Sequence, residues 1–403
     1  MMPSTIYLTR NGLLEPLGQS QVLAYLRGLS GRYRITLITY EKAEDRADIT
    51  RMDAMRAECA ALGIQWLPQH FRASPKVIAP ALSMVRMVWL LLRETRGQNA
   101  RLIHARSYIP AAVALIVSRL TGVPFIFDMR ALWPEELITA GRLTRGSLLH
   151  RAMVAAERAC LARGGAVVSL THAAVEHLQR IYPDALAGQR IAVIPTCADL
   201  DRFVPPAQPS AKRVIGCLGT VLSGWFRLDW LAAFLKVVAE QAPDVVFELT
   251  TRDDAAQVRA ALDPDGHLGS RLTIAPAAPE DVHQVIQGQT ASVMFFTDGL
   301  SKLGSSPTRM AEILGCGMPV VANDGVGDVA YIIRKYRVGV LAHAPDPASM
   351  AQAWNDLLAL LQDPDIAERC RRAAEEVFSL EAGTAAYAQL YSELTDGGRR
   401  CAD

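Results

Sequence analysis

Between Ser301 and Asp328 the chain reads SKLGSSPTRMAEILGCGMPVVANDGVGD, and this stretch holds the residue types of an anion site. It follows an apolar run, ASVMFF, with the character of a β-strand. Ser306 suits a helix N-cap and Pro307 the first helical position; Thr308, Arg309, Ala311, Glu312 and Leu314 continue the helix until Gly315 and Gly317 end it before Pro319. The unpaired N–H groups and positive dipole end of such a helix favour an anion, and Lys302, Ser305, Ser306, Thr308 and Arg309 add donors beside it. A diphosphate fits that set. Glu312, one turn beyond Thr308, is spaced to accept hydrogen bonds from a vicinal diol such as a ribose. Phosphate and diol together suggest a nucleotide. The competing reading is an ordinary capped helix whose Arg309 and Glu312 form a surface i,i+3 ion pair.

Other candidates sit where β-like runs end. Asp128 and Arg130 close FIFDM and are followed by Trp133, Glu135 and Glu136; Arg106, Ser107 and Tyr108 close LIHARS and form a second set for acceptor or phosphate contact. Asp128 is alternatively a helix cap or a salt-bridge partner of Arg130. His104, in mid-strand, reads as a packed core residue, and Thr171 as an N-cap. Gly12 and Gly18 bracket a loop before a helix opening at Gly18-Gln19-Ser20, either a plain turn or a place for close backbone approach to a phosphate or sugar. The triplets Asp263-Pro264-Asp265 and Asp363-Pro364-Asp365 read as turn chemistry, so no metal site is expected.

These residues need a scaffold, and 403 residues suffice for two domains. Apolar β runs alternate with amphipathic helical stretches in both halves, from IYLT to IAVIPT and again from VIGCLG to GVLAH. The Pro-rich segment Asp201 to Arg213 between them reads as a linker. Runs apolar on both faces imply doubly wound parallel sheets, so the fold class is α/β with two Rossmann-like domains, whose facing cleft is the default site. The expected divisions are 1–205, 206–380 and a closing helix at 381–403 that packs back on the first domain.

Residues 1–200 carry 24 Lys and Arg against 15 Asp and Glu, whereas the whole chain is near neutral at +1. A basic first half suits an anionic partner such as a phosphorylated substrate or a lipid surface. The apolar stretch from Lys76 to Arg96 either packs against a sheet or lies on a membrane surface. Its apolar part, Val77 to Leu92, is 16 residues long and contains Arg86, short of the roughly 20 apolar residues that span a bilayer. The opening residues lack a secretory-signal pattern, and the seven cysteines lack a C-x-x-C pair, which suggests a cytoplasmic protein with reduced thiols.

SSPTRMAEILGCGMPVVAN resembles the S-P-T-K-x-x-E-Y-L-A-x-G-x-P-V-V signature of glycosyltransferase family 4, retaining enzymes of the GT-B fold that use nucleotide-diphosphate sugars. YLTRNGLLEPLGQSQVLAYLRGLS, RSYIPAAVAL, IFDMRALWPEE, VVSLTHAAVEHL and VIPTCADLDRF are similar to further family segments in the same order. The resemblance implies that Glu312 holds the ribose and that Lys302, Arg309 and the Ser306 to Thr308 helix start hold the diphosphate. Gly18, from its place at a helix opening, and Ser305, beside the later helix start, are counted with the donor site as well. Two departures stand out. Gly304 occupies the place of the first carboxylate of the family's E-x7-E motif, and GCLGTVLSGWFRLD replaces its G-R-x-x-x-x-K-G loop, leaving Gly219 and Thr220 at the turn with Arg227 and Arg252 as nearby cations. Asp128 or Arg130 stands where the family often has a His, and Arg106, Ser107, Tyr108 and Glu135 fall to the acceptor.

The expected activity is transfer of a hexose from a nucleotide-sugar donor to a hydroxyl of a glycan, polyprenyl-linked or small-molecule acceptor. Asp128, Arg130, Lys302 and Glu312 are the catalytic candidates, with no cofactor, no metal and no nucleic-acid partner. A location at the inner face of the cell membrane, through a peripheral contact, is a further expectation. The rival readings are an epimerase or hydrolase of the same architecture and a noncatalytic nucleotide-sugar-binding protein.

Overall fold

A computed structural model describes residues 2–71, 78–208, 210 and 212–396, with backbone alone over 78–83. The chain forms two compact units, Met1–Pro195 together with Leu380–Asp403, and Thr196–Ser379.

In the first unit the strands are β1 (Ser4–Leu8), β2 (Arg34–Glu41), β3 (Gln65–His70), β4 (Leu102–Arg106), β5 (Phe125–Asp128), β6 (Ala166–Ser169) and β7 (Ile191–Val193). They pair in parallel in the order β3-β2-β1-β4-β5-β6-β7. Every residue of β1, β4, β5 and β6 is buried, as apolar runs covered by helices on both faces require. Edge strand β3, QWLPQH, lacks that signature because it is polar and carries Pro68, which an edge tolerates and a centre does not. The closing helix Leu380–Asp396 belongs to this unit: the Tyr33 hydroxyl donates to the Ala388 carbonyl at 3.3 Å, and the Tyr25 and Tyr387 rings meet edge to face at 5.1 Å. The first helical segment starts at Pro16, two residues before the expected Gly18, because proline's fixed φ suits the first helical position.

The second unit repeats the plan with β8 (Val214–Leu218), β9 (Val246–Thr250), β10 (Leu272–Ala275), β11 (Ala291–Met294), β12 (Val320–Asn323) and β13 (Gly339–Ala342). Their order is β10-β9-β8-β11-β12-β13, again all parallel. Both sheets therefore reverse direction beside their first strand, between β1 and β4 and between β8 and β11. Ligands of open α/β sheets bind outside the carboxyl ends of strands at such a point. Gly219 directly follows β8, while Phe296, Lys302 and the helix Thr308–Gly315 follow β11.

The Asp201 to Arg213 segment is packed where it is described, and is no free linker. Phe203 is buried, the Arg371 guanidinium donates to the carbonyls of Leu200 (2.9 Å) and Phe203 (2.7 Å), and Gln287 donates to Val204 at 2.8 Å. The division accordingly falls after Pro195 instead of after residue 205. Ala198 bridges to Ser379, and Thr196 binds Ser306, so residues 196–205 were folded into the second unit by contacts far along the chain.

Candidate active site

In the second unit the loop after β8 and the helix after β11 build one constellation. Pro307 is the N-cap of the Thr308–Gly315 helix and Thr308 its first residue, one place later than Ser306 and Pro307 were expected. The reason is local: the Ser306 hydroxyl accepts from the Thr196 amide at 3.3 Å, and Thr196 Oγ1 donates to the Ser306 carbonyl at 2.7 Å, so Ser306 anchors the loop and does not cap the helix. No side chain caps this end, and among the described residues the Thr308 and Arg309 amides find no acceptor. An uncapped helix start with free amides and a positive dipole end is a ready anion site.

Arg309 and Glu312 do not form the surface ion pair. No carboxylate lies within ion-pair distance of Arg309 among the described residues, and one guanidinium nitrogen, Nη1, is buried without any acceptor. Its guanidinium instead lies 5.1 Å from the Phe296 ring and 5.9 Å from the Phe226 ring. Burial pulls the Arg309 pKa down, opposed by Cys217 and Glu312. Burial likewise pushes the Glu312 carboxyl up, against the pull of Arg309 and Arg202. Two half-buried, oppositely charged groups that attract one another but have no ion-pair contact among the described residues are unfavourable in the free protein, and such a pair is an electrostatic mark of a candidate ligand site.

Lys302 is 5% exposed, and its ammonium rests 3.0 Å from the centroid of Trp225. Trp225 and Phe226 come from the loop after β8, so that loop faces both cations. Asp253 fixes it: its carboxylate accepts the Val221 amide at 2.6 Å and the Leu222 amide at 3.0 Å. Burial would raise that carboxyl, but the two amides hold it below its ordinary value. Gly219 adopts φ +89°, and a Cβ there would lie 2.5 Å from Arg309 Nη2. Gly219→Ala is therefore expected to displace the guanidinium and strain the turn, costing about 1–3 kcal/mol of stability and raising KM for the donor substrate. Thermal melts and saturation kinetics check both effects.

The remaining second-unit candidates differ in exposure and partners. Arg227 pairs with Asp229 through bonds of 3.1 and 2.9 Å and lies over Trp230. Arg252 is exposed after β9 with no protein partner among the described residues, Thr220 is exposed at the turn, and Ser305 and Thr308 are half-buried. Gly304 is buried where the resemblance calls for a carboxylate. Asp263 accepts the Leu268 and Gly269 amides and Asp363 the Asp365 amide, as turn residues do.

In the first unit, Arg106, Asp128 and Arg130 come together at the ends of β4 and β5. Asp128 is fully buried; its Oδ2 accepts from the Tyr387 hydroxyl (3.1 Å), His104 Nε2 (3.3 Å) and Arg106 (3.5 Å), and its Oδ1 faces Arg130 at 3.7 Å. Burial opposes its charge, but Arg130, His104 and Arg106 overcome this and hold the carboxyl well below its ordinary value. His104, expected as core packing, is buried as foreseen but polar in role: its Nδ1 contacts the Tyr391 hydroxyl at 2.9 Å, and burial lowers its pKa. Burial also pushes the neighbouring Tyr7 hydroxyl up to about 12. Arg130 at φ +64° and Ser107 at φ +76° hold left-handed backbone that non-glycine residues seldom adopt, a strain that clusters at functional sites.

Other first-unit candidates point elsewhere. The Tyr108 hydroxyl donates to Glu157 at 2.7 Å, and Glu135 pairs with Arg145 at 2.5 Å. Gly18 packs so closely within the loop that a Cβ would collide with the Gly12 carbonyl. Sequence reasoning missed Glu41, a fully buried carboxylate at the end of β2 that accepts the Leu13 amide at 2.9 Å. It ties down the loop after β1 as Asp253 ties down the loop after β8. A lone charge ending the apolar run ITLITY was the available signal.

Comparison with known proteins agrees with this geometry. Residues 18–197 match the family described as glycosyl transferase 4-like domain, and residues 212–360 the family described as glycosyl transferases group 1. The chain is 24% identical over 326 residues to a 2-deoxystreptamine N-acetyl-D-glucosaminyltransferase of Streptomyces fradiae, covering 77% of this chain and 72% of that one. Among solved structures, a glycosyltransferase from Rickettsia africae superposes with a TM-score of 0.71 at 13% identity over 98% of both chains. The Anabaena protein HepE in complex with UDP-glucose superposes with a TM-score of 0.66 at 17% identity, over 97% of this chain and 99% of that one. The two halves of the chain thus belong, in order, to the glycosyl transferase 4-like and glycosyl transferases group 1 domain families, and the protein is a glycosyltransferase of GT-B type.

Proposed function

We propose that the second unit binds a nucleotide-diphosphate sugar and that the chain transfers its hexose, with retention of configuration, to a hydroxyl of an acceptor held by the first unit. One observation carries this reading: Arg309 and Glu312, one turn apart on an uncapped helix, are half-buried charges of opposite sign that the protein leaves unpaired. The Glu312 carboxylate would accept both hydroxyls of the ribose. The Thr308 and Arg309 amides, the Arg309 guanidinium and the Lys302 ammonium would receive the diphosphate. This is the donor motif of the S-P-T-K/R-x-x-E kind, and the UDP-glucose bound by the Anabaena relative makes a uridine nucleotide the first candidate.

Charge builds on the diphosphate as the glycosidic bond breaks, so fixed cations and helix amides stabilise the transition state more than the ground state. They would do the work that a divalent cation does elsewhere. The leaving phosphate oxygen would take the proton of the attacking hydroxyl on the same face of the sugar, so no side-chain nucleophile is needed. Asp128, Arg130 and Arg106 would lie on the acceptor side, with two guanidiniums to one carboxylate.

The test is a melting screen of nucleoside diphosphates and their sugars, followed by turnover with an acceptor panel. A matching nucleotide at a hundredfold excess over its Kd adds about 2.7 kcal/mol of stability, and NMR of the product should show the donor's anomeric configuration retained. Absence of stabilisation by every nucleotide, together with no consumption of any nucleotide sugar, would overturn the proposal. Rapid conversion of donor without acceptor would favour an epimerase or hydrolase instead.

A further inference from the structure

Three helices of the first unit, Ile78–Gly97, Tyr108–Thr121 and Leu148–Arg163, cross between β3 and β6 and pack side by side, the second touching both others. Each buries one face against the sheet. On the first helix Met87 is 1% exposed and Leu91 0%. The opposite face is unusual. Val85 and Trp89 are 66% and 60% exposed, and Ile116 and Leu120 on the adjoining helix are 41% and 58% exposed. The third helix opens with Leu148 at 84% and Leu149 at 62%.

Charge on the same faces has one sign. Val85, Trp89, Arg93 and Arg96 recur at helical spacing, as do Ile116, Arg119 and Leu120, and each of these arginines is exposed. The only carboxylates on the described parts of the three helices are Glu94 and Glu157, and both are buried. Glu94 offsets Arg93, whose guanidinium also lies 5.0 Å from the Trp89 ring. Arg96 and Arg119 have no partner among the described residues. The helix read from Lys76 is described from Ile78; Lys76 and Val77 lie outside the described residues.

We propose that this three-helix face docks on an anionic lipid leaflet. Exposed tryptophan and aliphatic side chains enter the headgroup boundary, while arginines lay their stems along it and keep their guanidiniums among lipid phosphates. A second copy of the chain fits less well, since a self-complementary contact would set these arginines against one another. Nucleic acid fits the cations but not the exposed leucines. A leaflet rich in phosphate satisfies both features at once.

Flotation of the full chain with vesicles tests this. Binding is expected to vesicles of phosphatidylcholine mixed with phosphatidylglycerol, to be weak with phosphatidylcholine alone, and to fall with added salt. Removing one exposed arginine, as Arg96→Gln or Arg119→Gln, weakens partitioning about fivefold. Trp89→Ser with Leu120→Ser lowers it further while melting temperature and sugar transfer to a soluble acceptor stay unchanged, because both side chains are exposed and neither belongs to the proposed donor or acceptor residues. Three results would overturn the inference: no binding to anionic vesicles, binding that all these variants leave intact, or a concentration-dependent dimer that Trp89→Ser with Leu120→Ser abolishes.

Discussion

Glu312→Ala is expected to lower kcat/KM for the donor by at least about 100-fold, since each of two hydrogen bonds to a charged carboxylate contributes about 1.5–3 kcal/mol. Glu312→Gln keeps the shape but loses the charge and falls between the two. Stability should move the other way. Burial raises the Glu312 carboxyl pKa in the folded chain. A raised acid pKa means that the folded state holds its proton more tightly than the unfolded state, so stability drops as pH rises through that value. At neutral pH the ionised group is therefore a liability in the free protein. The alanine variant should melt at or above the wild-type temperature without nucleotide, and should lose most of the nucleotide-induced rise. Donor affinity has its own pH signature: a protonated Glu312 accepts poorly, so affinity should fade with acidification at a pH above that of an ordinary glutamate, about 4.3. A variant that melts lower and still turns over normally would make Glu312 a structural residue. Calorimetric melts and saturation kinetics on the same preparations separate these outcomes.

What the sequence made legible follows the physics of parallel sheets. Strands buried on both faces must be apolar throughout, so IYLT, LIHARS, FIFDM and AVVSLT stand out unaided, as do β8, β11 and β12 of the second unit. Edge strand β3 carries Gln65, Pro68, Gln69 and His70 because one side of it needs no partner, and that removed its signal. The helix start proposed for the anion was legible for a similarly local reason: the glycine-ended helix, its proline and its donors lie within one short stretch. Its cap was misplaced by one residue because Ser306 answers to Thr196, more than a hundred residues earlier. Glu41 and Asp253 were invisible for a related reason. Each carboxylate is defined by the amides it receives from the loop after the preceding strand, and no spacing rule places those amides.

Asp128 shows the same limit at its sharpest, and its removal should have the largest effect on stability. The sequence left it as a site group, a cap or a partner of Arg130. The structure makes it the shared acceptor of the Arg106 guanidinium, an imidazole and a tyrosine from the closing helix, and the ion-pair partner of Arg130. Asp128→Asn preserves volume but leaves Arg106 and Arg130 buried without a counter-charge. Breaking a buried pair on one side costs about 3–5 kcal/mol, or on the order of 10 °C in melting temperature for a unit of this size. Tyr387→Phe removes one neutral donor and should cost only about 1 kcal/mol. The pH dependence distinguishes a charge effect from a packing effect. Because the folded Asp128 pKa is depressed, its contribution is complete above the unfolded value of about 3.9 and is lost as pH falls through the lower folded value. The Asn variant's deficit should thus be constant through neutral pH and narrow only in acid below about pH 4. His104, coupled to Asp128 through their hydrogen bond, adds a second slope: burial lowers its pKa, so the unfolded chain takes up that proton first and wild-type stability declines as pH falls below about 6.5. If Asp128→Asn unfolds at the wild-type denaturant concentration at neutral pH, the two arginines are compensated from elsewhere, and the net positive charge of this cluster is smaller than two guanidiniums against one carboxylate would give.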